Sequence, residues 1–121
     1  MAACLYDPSD GFFASGPLRS TKSGDFLTSP EVSPWFGRTI GRHVEAIRRE
    51  LRNPNDFVVA EVGAGSGSLL QPLLREMQSP LPTVWAAEAS PAARRRLGEV
   101  LDDHRVVGDL SQLPSRITGV I

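Results

Sequence analysis

Along this chain the spacing of apolar positions changes period several times, and each change marks an element. Val32, Phe36, Ile40, Val44, Ile47 and Leu51 recur at steps of four, four, four, three and four, one apolar stripe on a helix over about 33–51. Ser33 followed by Pro34 suits an N-cap with proline at the first helical position, and Asn53-Pro54-Asn55 ends the helix. Phe57 to Val62 is a compact β-rich run. Leu69, Leu70, Leu73, Leu74 and Met77 then give a second helical stripe over 68–77, where Pro72 is tolerable because first-turn N–H groups have no partner within the helix. Thr83 to Ala87 reads as a second strand, Ser90-Pro91 caps a helix reaching Leu101, Arg105 to Val107 is a short third strand, and Thr118 to Ile121 begins a fourth. Strands alternating with helices at these lengths predict βαβ units. The expected fold class is therefore α/β, a Rossmann-like but incomplete sheet of about four parallel strands with flanking helices.

Residues 1–31 form a different region, expected to be a loop-rich lead-in, with 32–121 as the α/β part. Asp7-Pro8, Asp10-Gly11, Gly16-Pro17, Ser23-Gly24 and Ser29-Pro30 are turn dipeptides. Leu5, Tyr6, Phe12, Phe13, Phe26 and Leu27 are apolar anchors that a purely polar linker would lack. The chain stops at Ile121 within an apolar run, so a fragment of a longer protein is expected.

Composition narrows the classes. With 13 basic and 14 acidic residues the net charge is −1, which offers no footprint for nucleic acid or an anionic membrane. Arg48, Arg49, Arg52 and the Arg94-Arg95-Arg96 run read as solvated helix faces. His43 reads as a surface or packing residue, since no second ligand stands at helical spacing. The single cysteine, Cys4, excludes an internal disulfide and is expected to be a small, at least half-buried apolar residue. No apolar run approaches membrane-spanning length and no secretory signal is present, so the cytoplasm is the expected location.

The chemistry concentrates at Glu61-Val62-Gly63-Ala64-Gly65-Ser66-Gly67. Glycines between a strand and a helix let a ligand approach the backbone closely, a feature shared by several nucleotide sites. Ser68 stands where a dinucleotide fingerprint would place its third glycine. Glu61 ends the strand, where a carboxylate repels a pyrophosphate but favours the sulfonium and ammonium groups of S-adenosylmethionine. Glu88 closes the second strand and can accept from both hydroxyls of a ribose. Asp109 has two equal readings, a contact to an adenine amino group or a turn cap. A nicotinamide or flavin oxidoreductase on the same architecture and a non-catalytic assembly factor remain the competing readings.

The stretch Gly24-Asp25-Phe26-Leu27-Thr28-Ser29-Pro30-Glu31 resembles a signature of the MidA family of class I methyltransferases. Leu5-Tyr6-Asp7-Pro8-Ser9-Asp10-Gly11-Phe12-Phe13 is similar to a second family segment, with phenylalanine for both of its tyrosines. The glycine loop, with Ala64 where the family often has proline, and Glu88-Ala89-Ser90-Pro91 complete four motifs in order. This resemblance implies a methyltransferase with S-adenosylmethionine as cofactor, held by Gly63, Gly65, Gly67 and Glu88, with Thr28, Ser29 and Glu31 at the mouth of the site. It implies a protein as methyl acceptor, arginine being the side chain associated with mitochondrial members that act on a complex I subunit. It also implies a mitochondrial matrix location for a eukaryotic source. The family's later Asn-Glu-x-x-Asp-Ala segment and acceptor-binding region have no counterpart here, so this chain is expected to be incomplete as an enzyme. No catalytic base is assigned; Glu31 and Asp25 are candidates by chemistry alone.

Overall fold

The computed structural model describes residues 1–17, 19, 24–101 and 105–121. Ser23, half of one expected turn, lies outside them. Helix α1 (Ala2–Tyr6) opens the chain, followed by the short α2 (Ser29–Val32) and the long α3 (Pro34–Glu50). The α/β part then runs β1 (Phe57–Val62), α4 (Leu70–Leu74), β2 (Thr83–Ala87), α5 (Pro91–Gly98), β3 (Val106–Val107), a 3-10 turn at Leu110–Gln112 and β4 (Thr118–Val120). Within this sheet the described pairings are parallel and the spatial order is β3-β2-β1-β4, the parallel α/β sheet expected from the alternating pattern. The chain moves outward from β1 to β3 and then returns to the opposite side of β1. The carboxyl end of β1 is therefore a topological switch point, where the connections diverge and leave a crevice.

The two central strands, β1 and β2, are short apolar runs because parallel strands inside a sheet are covered on both faces. Phe57, Val58, Val59 and Ala60 are all buried in β1. Phe57, Val59, Val84 and Ala86 share one core with Val44 of α3, Leu70 and Leu73 of α4, and Leu97 of α5. Both expected caps form: the Ser33 hydroxyl accepts from Trp35 N at 3.3 Å, and that of Ser90 accepts from Ala93 N at 3.3 Å. Pro72 falls at the third residue of α4, within its first turn.

Three expectations fail, each for a physical reason. The apolar stripe of α3 is only partly its buried face: Val44 is buried and Ile40 packs against the core, but Val32 at the end of α2 and Phe36 are 65% and 45% exposed, and Leu51 is 50% exposed. Beside Val44 the helix buries Gly37, Gly41, Glu45 and Arg48. A Cβ on Gly37 would stand 2.7 Å from the Leu69 carbonyl oxygen, and one on Gly41 2.4 Å from that of Leu73. The glycines thus let α3 meet the backbone at α4, a closeness that larger apolar side chains would prevent.

Arg48 is not solvated, and Arg94 is only partly so. Arg48 is 6% exposed and donates to the carbonyls of Gln78 (3.2 Å) and Pro80 (2.8 Å), satisfying acceptors in the connection to β2. Arg94 donates to the carbonyls of Glu88 and Ala89, both at 2.7 Å. Cys4 is exposed rather than packed, because α1 is one turn long and turns this position to solvent. His43 is exposed, in keeping with a surface role.

The lead-in is ordered by its own contacts. Asp7 Oδ1 accepts from Ser9 N, Ser9 Oγ and Asp10 N, which closes the turn after α1. The backbone then returns on itself, with Phe12 N donating to Cys4 O and Phe13 N to Leu5 O. No helix among the described residues is long and apolar enough to cross a membrane.

Candidate functional site

A cavity of about 440 Å³ opens at the carboxyl ends of β1, β2 and β3. Its floor is Val62, Gly63 and Gly65 after β1, Glu88 to Ser90 after β2, and Gly108 to Leu110 after β3. The lead-in supplies the opposite wall through Tyr6, Phe13, Arg19, Phe26 and Thr28. Residues remote in sequence thus converge at the switch point.

Gly63 and Gly65 hold the left-handed region, with φ of 73° and 54°, which selects glycine. A Cβ at either position would meet nothing within 4 Å, so the backbone there is open to a ligand. Gly67 is also left-handed, at φ 80°, but it does not line the cavity. A Cβ there would lie 3.2 Å from Leu97 Cδ2, which makes Gly67 the point where the loop packs against α5.

Glu88 joins two sides of the floor. Its Oε2 accepts from Gly65 N at 2.8 Å and its Oε1 from Ser90 N at 2.7 Å, while its own N–H donates to Val107 O. Each carboxylate oxygen has a further lone pair, so the group can accept again from a bound ligand. Arg94 clamps the same turn from below, which fixes where the Glu88 side chain starts.

Glu61 is outside the lining, one residue before Val62, which is in it. Its Oε2 is buried without a hydrogen-bond partner among the described residues. Burial, and secondarily the Glu88 charge, pushes its pKa from 4.5 to about 7. The glycine loop is therefore backed by one carboxylate and faced by another.

Asp109 lines the cavity and also caps the 3-10 turn, its Oδ1 accepting from Ser111 N at 2.8 Å. Hydrogen bonds from the Ser111 hydroxyl and then its N–H hold this carboxyl below its ordinary value. The turn-cap reading of Asp109 is thus the one observed, at a residue that also lines the cavity. Thr28 lines the cavity, whereas Glu31 turns back as a cap, Oε2 accepting from Thr28 N (2.9 Å) and Oγ1 (3.0 Å). Ser29 does not line the cavity. Asp25 is paired with Arg19 at 3.2 Å. Both carboxylates considered as bases are thus engaged in holding the lead-in.

The residues missed from sequence are the aromatic wall and Arg94. Tyr6, Phe13 and Phe26 were legible only as anchors, although their clustering in a turn-rich segment beside a glycine loop is a usable signal. Arg94 stands in the first half of α5, where the helix dipole disfavours a cation; a basic residue so placed signals a partner at the helix start.

A family model described as "Putative S-adenosyl-L-methionine-dependent methyltransferase" matches residues 39–118. The chain is 27% identical over 119 residues to the protein arginine methyltransferase NDUFAF7 homolog, mitochondrial, of Drosophila melanogaster, covering 94% of this chain and 27% of that protein. It is 32% identical over 75 residues to the human protein arginine methyltransferase NDUFAF7, mitochondrial, covering 62% of this chain and 17% of the relative. Among solved structures it is similar to a Burkholderia thailandensis protein crystallised with S-adenosyl-homocysteine, with a TM-score of 0.74 and 30% identity over 98% of this chain and 33% of the other. The chain thus spans only a minor part of the length of the relatives it matches.

Proposed function

Because this chain belongs to the S-adenosyl-L-methionine-dependent methyltransferase family whose model covers residues 39–118, we propose that it forms the cofactor-holding part of a methyltransferase acting on a protein side chain, arginine foremost. One observation carries the cofactor assignment: the buried, unpaired Glu61 oxygen stands behind a glycine loop that is open to the cavity and faced by Glu88. Two carboxylates at that place oppose a pyrophosphate and favour a cationic ligand. The arginine assignment is supported by the names of the matched relatives. Their mitochondrial naming supports a mitochondrial matrix location for a eukaryotic source.

The residues present fit S-adenosylmethionine, which supplies, when bound, an activated methyl group on a sulfonium centre. Gly63 and Gly65 permit close backbone approach, and Glu88 offers its remaining lone pairs to ribose hydroxyls. Asp109 stands at the β3 end as an acceptor for an amino group of the base, with Thr28 at the mouth. Glu61, ionised as pH rises through about 7, contributes a negative field from behind the loop. Gly67 and Glu31 act one step removed, by seating the loop on α5 and by capping the segment that carries Thr28.

Calorimetric titration tests this reading. S-adenosylmethionine should bind and NAD should give no heat; the reverse result overturns the assignment. Glu88→Ala removes the acceptor shared by Gly65, Ser90 and the ligand, and should weaken binding by about tenfold or more. Unchanged affinity would overturn the ribose role.

A further inference from the structure

The lead-in places three aromatic rings in the cavity wall, and the reading so far gives them no work. Tyr6 and Phe13 stack with centroids 5.9 Å apart and planes at 28°. Phe26 meets Phe13 edge-on, at 6.3 Å and 88°. Two nearly perpendicular ring planes make a corner rather than a flat surface. These rings are not core: Tyr6 is 49% exposed and Phe26 39%, while both line the cavity. Ordinary apolar anchors would bury that area.

The charges around the corner have one sign to spare. Among the described residues the charged groups of the lining are Arg19, Glu88 and Asp109, and Arg19 is already engaged, with Nη1 on Asp25 at 3.2 Å and Nε donating to the Phe12 carbonyl at 3.0 Å. Its guanidinium also rests 4.7 Å from the centroid of Phe12, which packs edge-on to Phe13. The lead-in therefore already holds one planar cation on an aromatic face beside the same corner. Ring quadrupoles on one side and carboxylates on the other both favour positive charge.

We propose that Tyr6, Phe13 and Phe26 form a cation-recognising corner that holds the positive charge of the bound ligand, an onium or a guanidinium group. This rests on the cofactor reading above and deepens it by naming the positioning residues on the lead-in side. Two sources carry such a charge at this site, the sulfonium of the cofactor and the guanidinium of an acceptor side chain.

The test is calorimetric titration of this chain with S-adenosylmethionine, its analogue S-adenosyl-homocysteine, which is uncharged at sulfur, and N-acetylarginine amide in the presence of S-adenosyl-homocysteine. Phe13→Leu and Phe26→Leu keep apolar bulk and remove the ring; a thermal melt checks that each variant folds. A corner that holds the sulfonium makes both variants lose affinity for S-adenosylmethionine by roughly three- to thirty-fold, with S-adenosyl-homocysteine unaffected and Phe26→Trp restoring the preference. A corner that holds the guanidinium leaves that preference unchanged and weakens N-acetylarginine amide by a similar factor. Replacing Phe26 with a fluorinated phenylalanine series, which keeps shape and drains the quadrupole, should reproduce the loss stepwise even if a leucine variant misfolds. Equal loss for the two adenosyl compounds, or affinities indifferent to fluorination, overturns the corner while leaving the cofactor reading intact. A wild-type chain that binds neither adenosyl compound overturns that reading instead, and the N-acetylarginine amide titration then decides the corner alone.

Discussion

Replacing Glu61 with glutamine keeps the side chain's size and removes its ionisation, and the structure gives both the sign and the size of the result. In the folded chain the group titrates near 7 rather than 4.5, because burial disfavours the charged form and Glu88 adds repulsion. The folded state therefore holds the proton more tightly than the unfolded state. Stability is fully present below 4.5 and declines as pH rises through 7. At about 1.4 kcal/mol per pH unit, charging Glu61 costs the folded chain about 3 kcal/mol by pH 8.

Glu61→Gln escapes that decline, so relative to wild type it should gain about 2–3 kcal/mol between pH 5 and pH 8. The carboxyls of Asp7, Glu76 and Asp109 are shifted the other way, so their contributions are lost only toward acid, below this window and alike in both proteins. Urea unfolding at half-unit pH steps measures the difference directly. The same variant should lose affinity for S-adenosylmethionine while gaining stability, since the buried charge that costs the fold stability favours a cationic ligand. Parallel stability profiles for the two proteins would refute the burial argument. A variant that binds the cation as well as wild type would refute the electrostatic role.

Gly65→Ala should cost about 1 kcal/mol in unfolding free energy, because φ 54° is unfavourable for a residue with a Cβ. The same Cβ projects into the open side of the loop, so cofactor affinity should fall by more than the melting temperature suggests, which parallel calorimetry and melts would reveal. Gly41→Ala forces a Cβ against the Leu73 carbonyl oxygen, 2.4 Å away, and should destabilise by about 2–3 kcal/mol. Its stability is read by urea unfolding, and a neutral outcome would mean that α3 can shift away from α4 freely.

The strand boundaries were legible because a parallel strand buried on both faces must be a short apolar run between turn residues, and Phe57–Val62 and Thr83–Ala87 satisfy that without help from elsewhere. The caps at Ser33 and Ser90 were legible for a similar reason, since each serves N–H groups two or three residues away. The glycine loop and Glu88 belong to the same class, because strand ends and their chemistry are local. The face that α3 buries is not local. Periodicity ranks positions by hydrophobicity, whereas the contact with α4 is decided by how closely backbones can approach, and glycines win that contest over Phe36 and Leu51.

The same limit applies to Arg48 and Arg94, whose carbonyl partners exist only once the chain has turned back. It applies to Glu61 as well: the sequence placed a carboxylate at a strand end, but burial and the distance to Glu88 set its charge state. The chain's own order of residues determined a parallel α/β fold and a cofactor loop. Tertiary packing alone decided which aromatic side chains face that loop, because a wall drawn from Tyr6, Phe13 and Phe26 requires contacts that no local pattern encodes.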